Sequence, residues 1–385
     1  MKDQLNRSRF KPVVAHIISG LGTGGAERSL YNIANSHLSQ THSFIVISLR
    51  GGGIYEEKLL KLGCNLKVLN LNKFNFLYKL CILLYQLRKV HPDIIQGWMY
   101  HGNVVAGIMK LFLGSKPKLI FNVRHSLYSL KLEKPFTRLT ILLNKYLTRI
   151  ADKVIFNSNS SMAQHHSYGF AKIKSNFIGN GFIDNFQPSQ ANRLLIRNEL
   201  NIKKDNVVIG HVARFHPMKG HEAFILSAIN ILNRNLNVKF LMIGKGIDFL
   251  NKELSKLIPE QYRQNFILLG EVENVMDYMQ AMEIFCISSF WGEGFPNVLG
   301  EAMLAELPCV VTNIGDSAQV LGECGSIIDM PITEEKITNN LIEMIKLSKV
   351  DLKKIGKKGR QRIIENFSIE QTLKKYQMLY TEVLE

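Results

Sequence analysis

Short runs of apolar, largely β-branched residues alternate along this chain with longer stretches whose apolar positions recur every three or four residues. VVAHIIS (13–19), SFIVISL (43–49), NLKVLNL (65–71), DIIQGW (93–98), KLIFNV (118–123) and KVIFNS (153–158) have the length and content of buried strands. AERSLYNIANSHL (26–38) has helical spacing, and helical stretches separate most of the others. Strands alternating with helices build parallel βαβ units with right-handed crossovers. The rhythm restarts at NVVIGHVA (206–213), passes through the helical HEAFILSAINILNRN, and adds VKFLMIG (238–244), NFILLG (265–270), IFCISS (284–289) and CVVTN (309–313). Between the two series lies FQPSQANRLLIRNEL, a proline-containing polar segment suited to a linker. The pattern predicts an α/β protein of two doubly wound, Rossmann-like domains facing a cleft, with ligands at the carboxyl ends of the strands. The domains are placed at residues 1–187 and 188–365. FSIEQTLKKYQMLYTEVL is amphipathic at helical spacing, so residues 366–385 are expected as a helix that packs across to the first domain.

Length agrees, since 385 residues exceed one ordinary core. With 46% hydrophobic and 21% charged residues the chain is globular rather than disordered. Charge changes the picture more. Residues 1–190 carry 25 Lys and Arg against 8 Asp and Glu, and the remainder carries 23 against 24, so the whole excess of +16 belongs to the first half. Such a surface attracts polyanions: nucleic acid, anionic lipid or a phosphorylated substrate. The segments 73–89 and 134–153 are apolar, aromatic and flanked by cations, so they suit either a bilayer interface or core helices. No apolar run approaches a membrane span. The opening MKDQLNRSRFKPVVAHIISG reads as a first strand rather than a signal peptide, its apolar stretch being short and broken by His16. Five cysteines without CxxC spacing fit reduced thiols in the cytoplasm and argue against a zinc site.

Three stretches carry candidate chemistry. SGLGTGGAERSL follows a strand and opens a helix, and Gly20, Gly22 and Gly25 match G-x-G-x-x-G. A dinucleotide enzyme would want an acid after the second strand, where Leu49 and Arg50 stand; an oxidoreductase is disfavoured, although Arg50 would suit a 2′-phosphate. The general reading is bare backbone that lets a ligand approach a helix N-terminus. In GHVARFHPMKGHE, Arg214 and Lys219 follow a strand end and suit a diphosphate. His211 in that strand reads as a packed histidine. In SSFWGEGFPNVLGEAMLAELP, Glu293 falls in a loop and Glu301 in the first turns of a helix that begins near Pro296 or Asn297. Eight residues of helix would separate the two acids by about 12 Å, whereas a glycosidase pair stands roughly 5–9.5 Å apart. A division of labour is expected instead, with each carboxylate accepting hydrogen bonds from one diol of a nucleotide-sugar.

These residues bring the chain to a resemblance. GTGGAE near the start, VARFHPMKG, LMIGKG, and above all Glu293 and Glu301 in E-x7-E resemble the retaining glycosyltransferases of family 4, which have the GT-B fold. The likeness is nearly full length. It implies that Glu301 holds the donor's ribose and that Glu293 faces its sugar, with Gly294, Phe295, Asn297 and Val298 near sugar and phosphates. Arg214 and Lys219 would grip the diphosphate, and the Gly24–Gly25 loop would approach from the other domain. FNVRHS resembles the family's strand and histidine loop, which puts His125 beside Arg124 near the reacting centre; His101 is a weaker contact. Two departures stand out: Glu283 precedes Ile284 and Phe285 where the family has aspartate, and Gln319 stands where an acid is common, so the finer donor preference is open.

The implied activity is transfer of a hexose or N-acetylhexosamine from a UDP-sugar to a saccharide, with retained anomeric configuration. The acceptor is expected on polyprenyl diphosphate, for surface polysaccharide, at the cytoplasmic face of the inner membrane. No D-x-D occurs, so no essential metal and no cofactor beyond the nucleotide-sugar are expected. An oxidoreductase and a basic nucleic-acid-binding protein are the competing readings, although no nucleic-acid motif appears and no nucleic-acid partner is expected.

Overall fold

Parallel strands account for the alternation. The computed structural model describes residues 11–72 and 74–385, so the chain's first ten residues and Lys73, on which parts of the leader and 73–89 readings rest, lie outside the described residues. In the first unit, β1 (Val13–Ile18), β2 (Ser43–Ser48), β3 (Asn65–Val68), β4 (Ile94–Trp98), β5 (Lys118–Val123), β6 (Lys153–Phe156) and β7 (Ser175–Phe177) form one sheet in the order β3-β2-β1-β4-β5-β6-β7. In the second, β8 (Val207–Val212), β9 (Val238–Ile243), β10 (Phe266–Leu268), β11 (Ile284–Ile287), β12 (Cys309–Thr312) and β13 (Gly325–Ile328) are ordered β10-β9-β8-β11-β12-β13. All paired neighbours are parallel. The strand order reverses beside β1 and beside β8, and these switch points are where doubly wound sheets bind ligands.

Both faces of each sheet are covered, which is why the strands read as near-continuous apolar runs. In β1, Ala15 and Ile17 enter one core and Val14 and Ile18 the other. In β8, Val208 and Ile209 divide in the same way. The period of two decides which side each residue serves.

The chain leaves the first unit at Gly181 and returns to it at Ile369. The returning helix, Ile369–Leu384, buries Leu373, Tyr376, Tyr380 and Val383. Tyr380 donates to Gln96 Oε1 at 2.6 Å, and Asn122 Nδ2 donates to the Tyr376 hydroxyl at 2.7 Å. The segment read as a linker is different from expectation. Gln190–Glu199 is a helix of the second unit, capped by Ser189, and its arginines are spent inside: Arg193 and Arg197 both pair with Glu283. The helical run expected over 26–38 stops at Ala34, and Leu38–Thr41 forms a separate turn.

Candidate active site

At the switch point of the second sheet, two loops leave adjacent strands. After β8 the chain passes Arg214, makes a 3-10 turn at Pro217–Lys219 and enters helix His221–Leu232. After β11 it passes Ser288 and Ser289, crosses a loop, and enters helix Asn297–Leu304. The loops are tied together. Phe290 N–H donates to Met218 O at 2.9 Å, and Ser288 Oγ donates to the carbonyls of Lys219 and Gly220 at 2.9 and 3.1 Å. Gly220 has φ +66°, and a Cβ there would stand 2.0 Å from Ser288 O, so only glycine lets the loops close. With the hydroxyl proton committed to those carbonyls, His211 must donate to Ser288 Oγ from Nε2, 3.0 Å away.

Lys219 Nζ donates to Glu293 Oε1 at 2.5 Å, and Ser289 Oγ donates to the same oxygen at 2.6 Å. Glu293 is only 9% exposed. No described residue donates to its Oε2. The loop is held from its other side as well: Asp316 N–H donates to Gly294 O at 2.9 Å, and Gly315, at φ +64°, approaches so closely that a Cβ would meet Glu293 O at 2.4 Å. The structure therefore brings together Lys219 and Glu293, 74 positions apart, as one ion pair. Arg214 is exposed and makes no ion pair among the described residues.

The remaining positions divide by role. Phe295 is 6% exposed between the rings of Phe182 and Phe367, so its side chain serves the core and it offers a ligand only backbone. Pro296 caps Asn297–Leu304 without a side-chain acceptor, and Asn297 and Val298 open the helix. Amides at such an end favour an anion. Glu301, half-buried, follows Asn297 by four residues and shares its helix face. Glu283 sits at the amino end of β11, opposite the edge that carries these groups, and its Oε2 accepts from Val208 N–H at 2.7 Å. This departure from the family pattern is thus a packing feature at the opposite end of the strand from the candidate site.

Behind Lys219 lie two buried histidines, His211 and His221, with ring centroids 4.8 Å apart. Burial holds His211 well below the usual imidazole range, with its neighbours His221 and Lys219 adding to the effect, and pushes His221 down to about 4. The folded state therefore binds fewer protons than the unfolded chain below pH 6.5. Stability contributed by the neutral rings is complete above that pH and falls as pH drops toward 4. Urea midpoints recorded between pH 7 and pH 4 should decline, and His221→Phe should flatten the decline.

In the first unit, Gly24 caps helix Gly25–Ala34, and a Cβ on Gly24 would stand 2.4 Å from Glu27 Oε2. The acid of GGAE thus folds back over the helix N-terminus that Gly24 and Gly25 were expected to offer a ligand. His125 follows β5. Its Nε2 lies 2.7 Å from Glu133 Oε1, and its ring packs edge-on against Tyr100. Glu133 was missed from sequence, although it is the one acid between Asp93 and Asp152. Arg124 is committed within its own unit, donating to Asn122, Ser29, Asn180 and Tyr376. His101 stacks on Phe136 at 5.8 Å. Among the described residues no helix is long and apolar enough to cross a membrane.

Comparison with known proteins agrees with this architecture. A model of "Glycosyltransferase Family 4" matches residues 23–185, and one of "Glycosyl transferases group 1" matches residues 206–346. The solved structure of HepE from Anabaena with UDP-glucose superposes with a TM-score of 0.81 at 20% identity, covering 97% of this chain and all of that one. The capsular polysaccharide biosynthesis glycosyltransferase CapH of Staphylococcus aureus is 26% identical over 80% of this chain and 83% of its own. An Escherichia coli UDP-Gal:α-D-GlcNAc-diphosphoundecaprenol α-1,3-galactosyltransferase is 27% identical over 55% of each. The two Rossmann-like units have the GT-B architecture, and the two matched family models make the chain a glycosyltransferase. The chain belongs to glycosyltransferase family 4, which displaces the oxidoreductase reading.

Proposed function

We propose that this enzyme transfers a hexose or N-acetylhexosamine from a UDP-sugar to a saccharide carried on polyprenyl diphosphate, with retention at the anomeric carbon. The setting is surface-polysaccharide assembly at the cytoplasmic face of the inner membrane, to which the basic first half is drawn. One observation carries the donor assignment: Glu293 Oε1 is saturated by Lys219 and Ser289, while Oε2 is left for an outside donor. A sugar diol supplies such a donor, and a diphosphate supplies the partner that Arg214 lacks. HepE, which has this fold, has been solved with UDP-glucose, and the E. coli relative acts on a diphosphoundecaprenol-linked sugar.

As the C1–O bond breaks, negative charge grows on the diphosphate. Arg214, Lys219 and the amides at Asn297 and Val298, with Gly294 and Phe295 contributing backbone, stabilise it. The leaving phosphate oxygen takes the acceptor's proton as the new bond forms, so no side-chain nucleophile, cofactor or essential metal is assigned. Glu301 holds the ribose. His125, its ring set by Glu133, serves the acceptor's hydroxyls, and Gly24 and Gly25 offer amides once Glu27 swings aside. No role is assigned to nucleic acid.

A charged hydrogen bond of this type contributes roughly 1.5–3 kcal/mol. Glu301→Ala should accordingly weaken UDP binding about tenfold to a hundredfold in calorimetric titration. Undiminished affinity would remove the ribose assignment.

A further inference from the structure

The first unit holds a cavity of about 650 Å³ at the carboxyl edge of its sheet, beyond the ends of β1, β2 and β3. Helices Phe76–Val90, Met99–Leu113 and Pro135–Leu147 enclose it, with Phe76, Ile108, Phe136 and Leu143 on its walls. No carboxylate among the described residues lines it. Its polar groups are few, and Thr140 already donates to Phe136 O at 2.8 Å. Asn72 Oδ1 already accepts from the N–H groups of Phe74 and Asn75. Three remain. Ser19 Oγ is buried without a partner among the described residues. Arg50, just after β2, makes no ion pair among the described residues, and the His101 ring makes no hydrogen bond among them. Burial, with Arg50 nearby as the lesser cause, holds His101 below its ordinary value, so it stands neutral at pH 7 with one N–H to donate.

A saccharide wants carboxylates and amides for its hydroxyls, and this cavity has almost none to give. An apolar chain ending in an anion fits both of its parts. We propose that the cavity binds the first isoprenoid units of a polyprenyl diphosphate, with Arg50, His101 and Ser19 against the diphosphate. This rests on the lipid-linked acceptor reading and gives that lipid a place. Cavities of this size and lining suit ligands that bury most of their apolar surface, each square ångström contributing about 25 cal/mol. The same helices carry exposed Leu77, Tyr78, Leu139 and Tyr146 beside Lys79, Lys134, Arg138 and Lys145. That composition suits a bilayer interface, into which the rest of the lipid would extend.

The test uses farnesyl diphosphate, inorganic pyrophosphate and farnesol, titrated into the full chain, with UDP as the check on folding. Wild type should bind farnesyl diphosphate at least about tenfold tighter than pyrophosphate. Val104→Phe, which fills the cavity from helix Met99–Leu113, should erase that advantage and leave pyrophosphate unchanged. Arg50→Gln should weaken both diphosphates about tenfold and leave farnesol as it was. If Val104→Phe loses UDP binding as well, Leu139→Gln on the exposed rim replaces it, with the same expectation. Farnesyl diphosphate binding no tighter than pyrophosphate, or unweakened in the filled variant, overturns the proposal. Turnover separates this from the acceptor reading. A lipid-linked saccharide used equally well by wild type and Val104→Phe would sink the cavity and spare that reading. Cavity-dependent farnesyl diphosphate binding without use of any lipid-linked saccharide would support the cavity and sink the acceptor reading.

Discussion

Lys219→Ala is expected to lower kcat by about a hundredfold to a thousandfold, the usual cost of deleting one preorganised group that meets charge developing in a transition state. In the resting structure Lys219 is paired to Glu293 and held at the rim of the sheet by Ser288, which grips its carbonyl. Its backbone position does not depend on the ammonium, so the variant should keep its fold. The loss should therefore fall more on kcat than on KM for the donor, which should rise by about the factor lost in diphosphate binding. Steady-state rates with a soluble acceptor decide it, and wild-type turnover would take Lys219 out of the mechanism. Lys219→Arg should recover only part of the rate, since a guanidinium cannot reproduce a single short contact to Oε1.

Glu283→Ala should have the largest effect on stability. Glu283 neutralises Arg193 and Arg197 and accepts the backbone N–H of Val208, so one side chain joins helix Gln190–Glu199 to β8 and β11. The Arg197 side chain is 5% exposed and the Glu283 side chain 20%. Breaking a buried pair by removing one partner leaves an uncompensated charge and costs about 3–5 kcal/mol. The urea midpoint should fall accordingly, while UDP affinity in the folded protein should be unchanged because Glu283 lies at the amino end of its strand. A midpoint within about 0.5 kcal/mol of wild type, the range of ordinary surface substitutions, would contradict this account of the segment.

The same glutamate shows what sequence could and could not supply. Strands with both faces buried, such as KLIFNV, announce themselves through unbroken apolar content, and β5 spans those six residues. β7 and β13 escaped because SNF and GSII are short and carry little of that signal. FQPSQANRLLIRNEL passed for a linker because of its proline and polar content, when each of its arginines is committed to a carboxylate about 90 positions away. The acids of E-x7-E were legible as a motif, but the pairing of Glu293 with Lys219 and Ser289 depends on two strand ends meeting at a switch point. His125 was legible through its position after a strand, and its partner Glu133 only through its isolation among cations. The two segments read as suiting either a bilayer interface or core helices each put one face in the core and leave other apolar side chains exposed. Leu80, Leu83 and Leu87 face inward while Leu77 and Tyr78 face water, and Ile141 is buried while Phe136 and Leu139 are exposed. Amphipathic helices with a second apolar face cannot be assigned to one side from periodicity alone.

The rim formed by the ends of β8 and β11 is expected to grip the donor's diphosphate. Calorimetric titration of UDP and UMP into wild type and Lys219→Ala isolates the terminal phosphate from every other contact. UDP should bind wild type more tightly than UMP, and most of this advantage, at least about tenfold, should disappear in the variant. An advantage of the same size in both proteins would contradict that expectation.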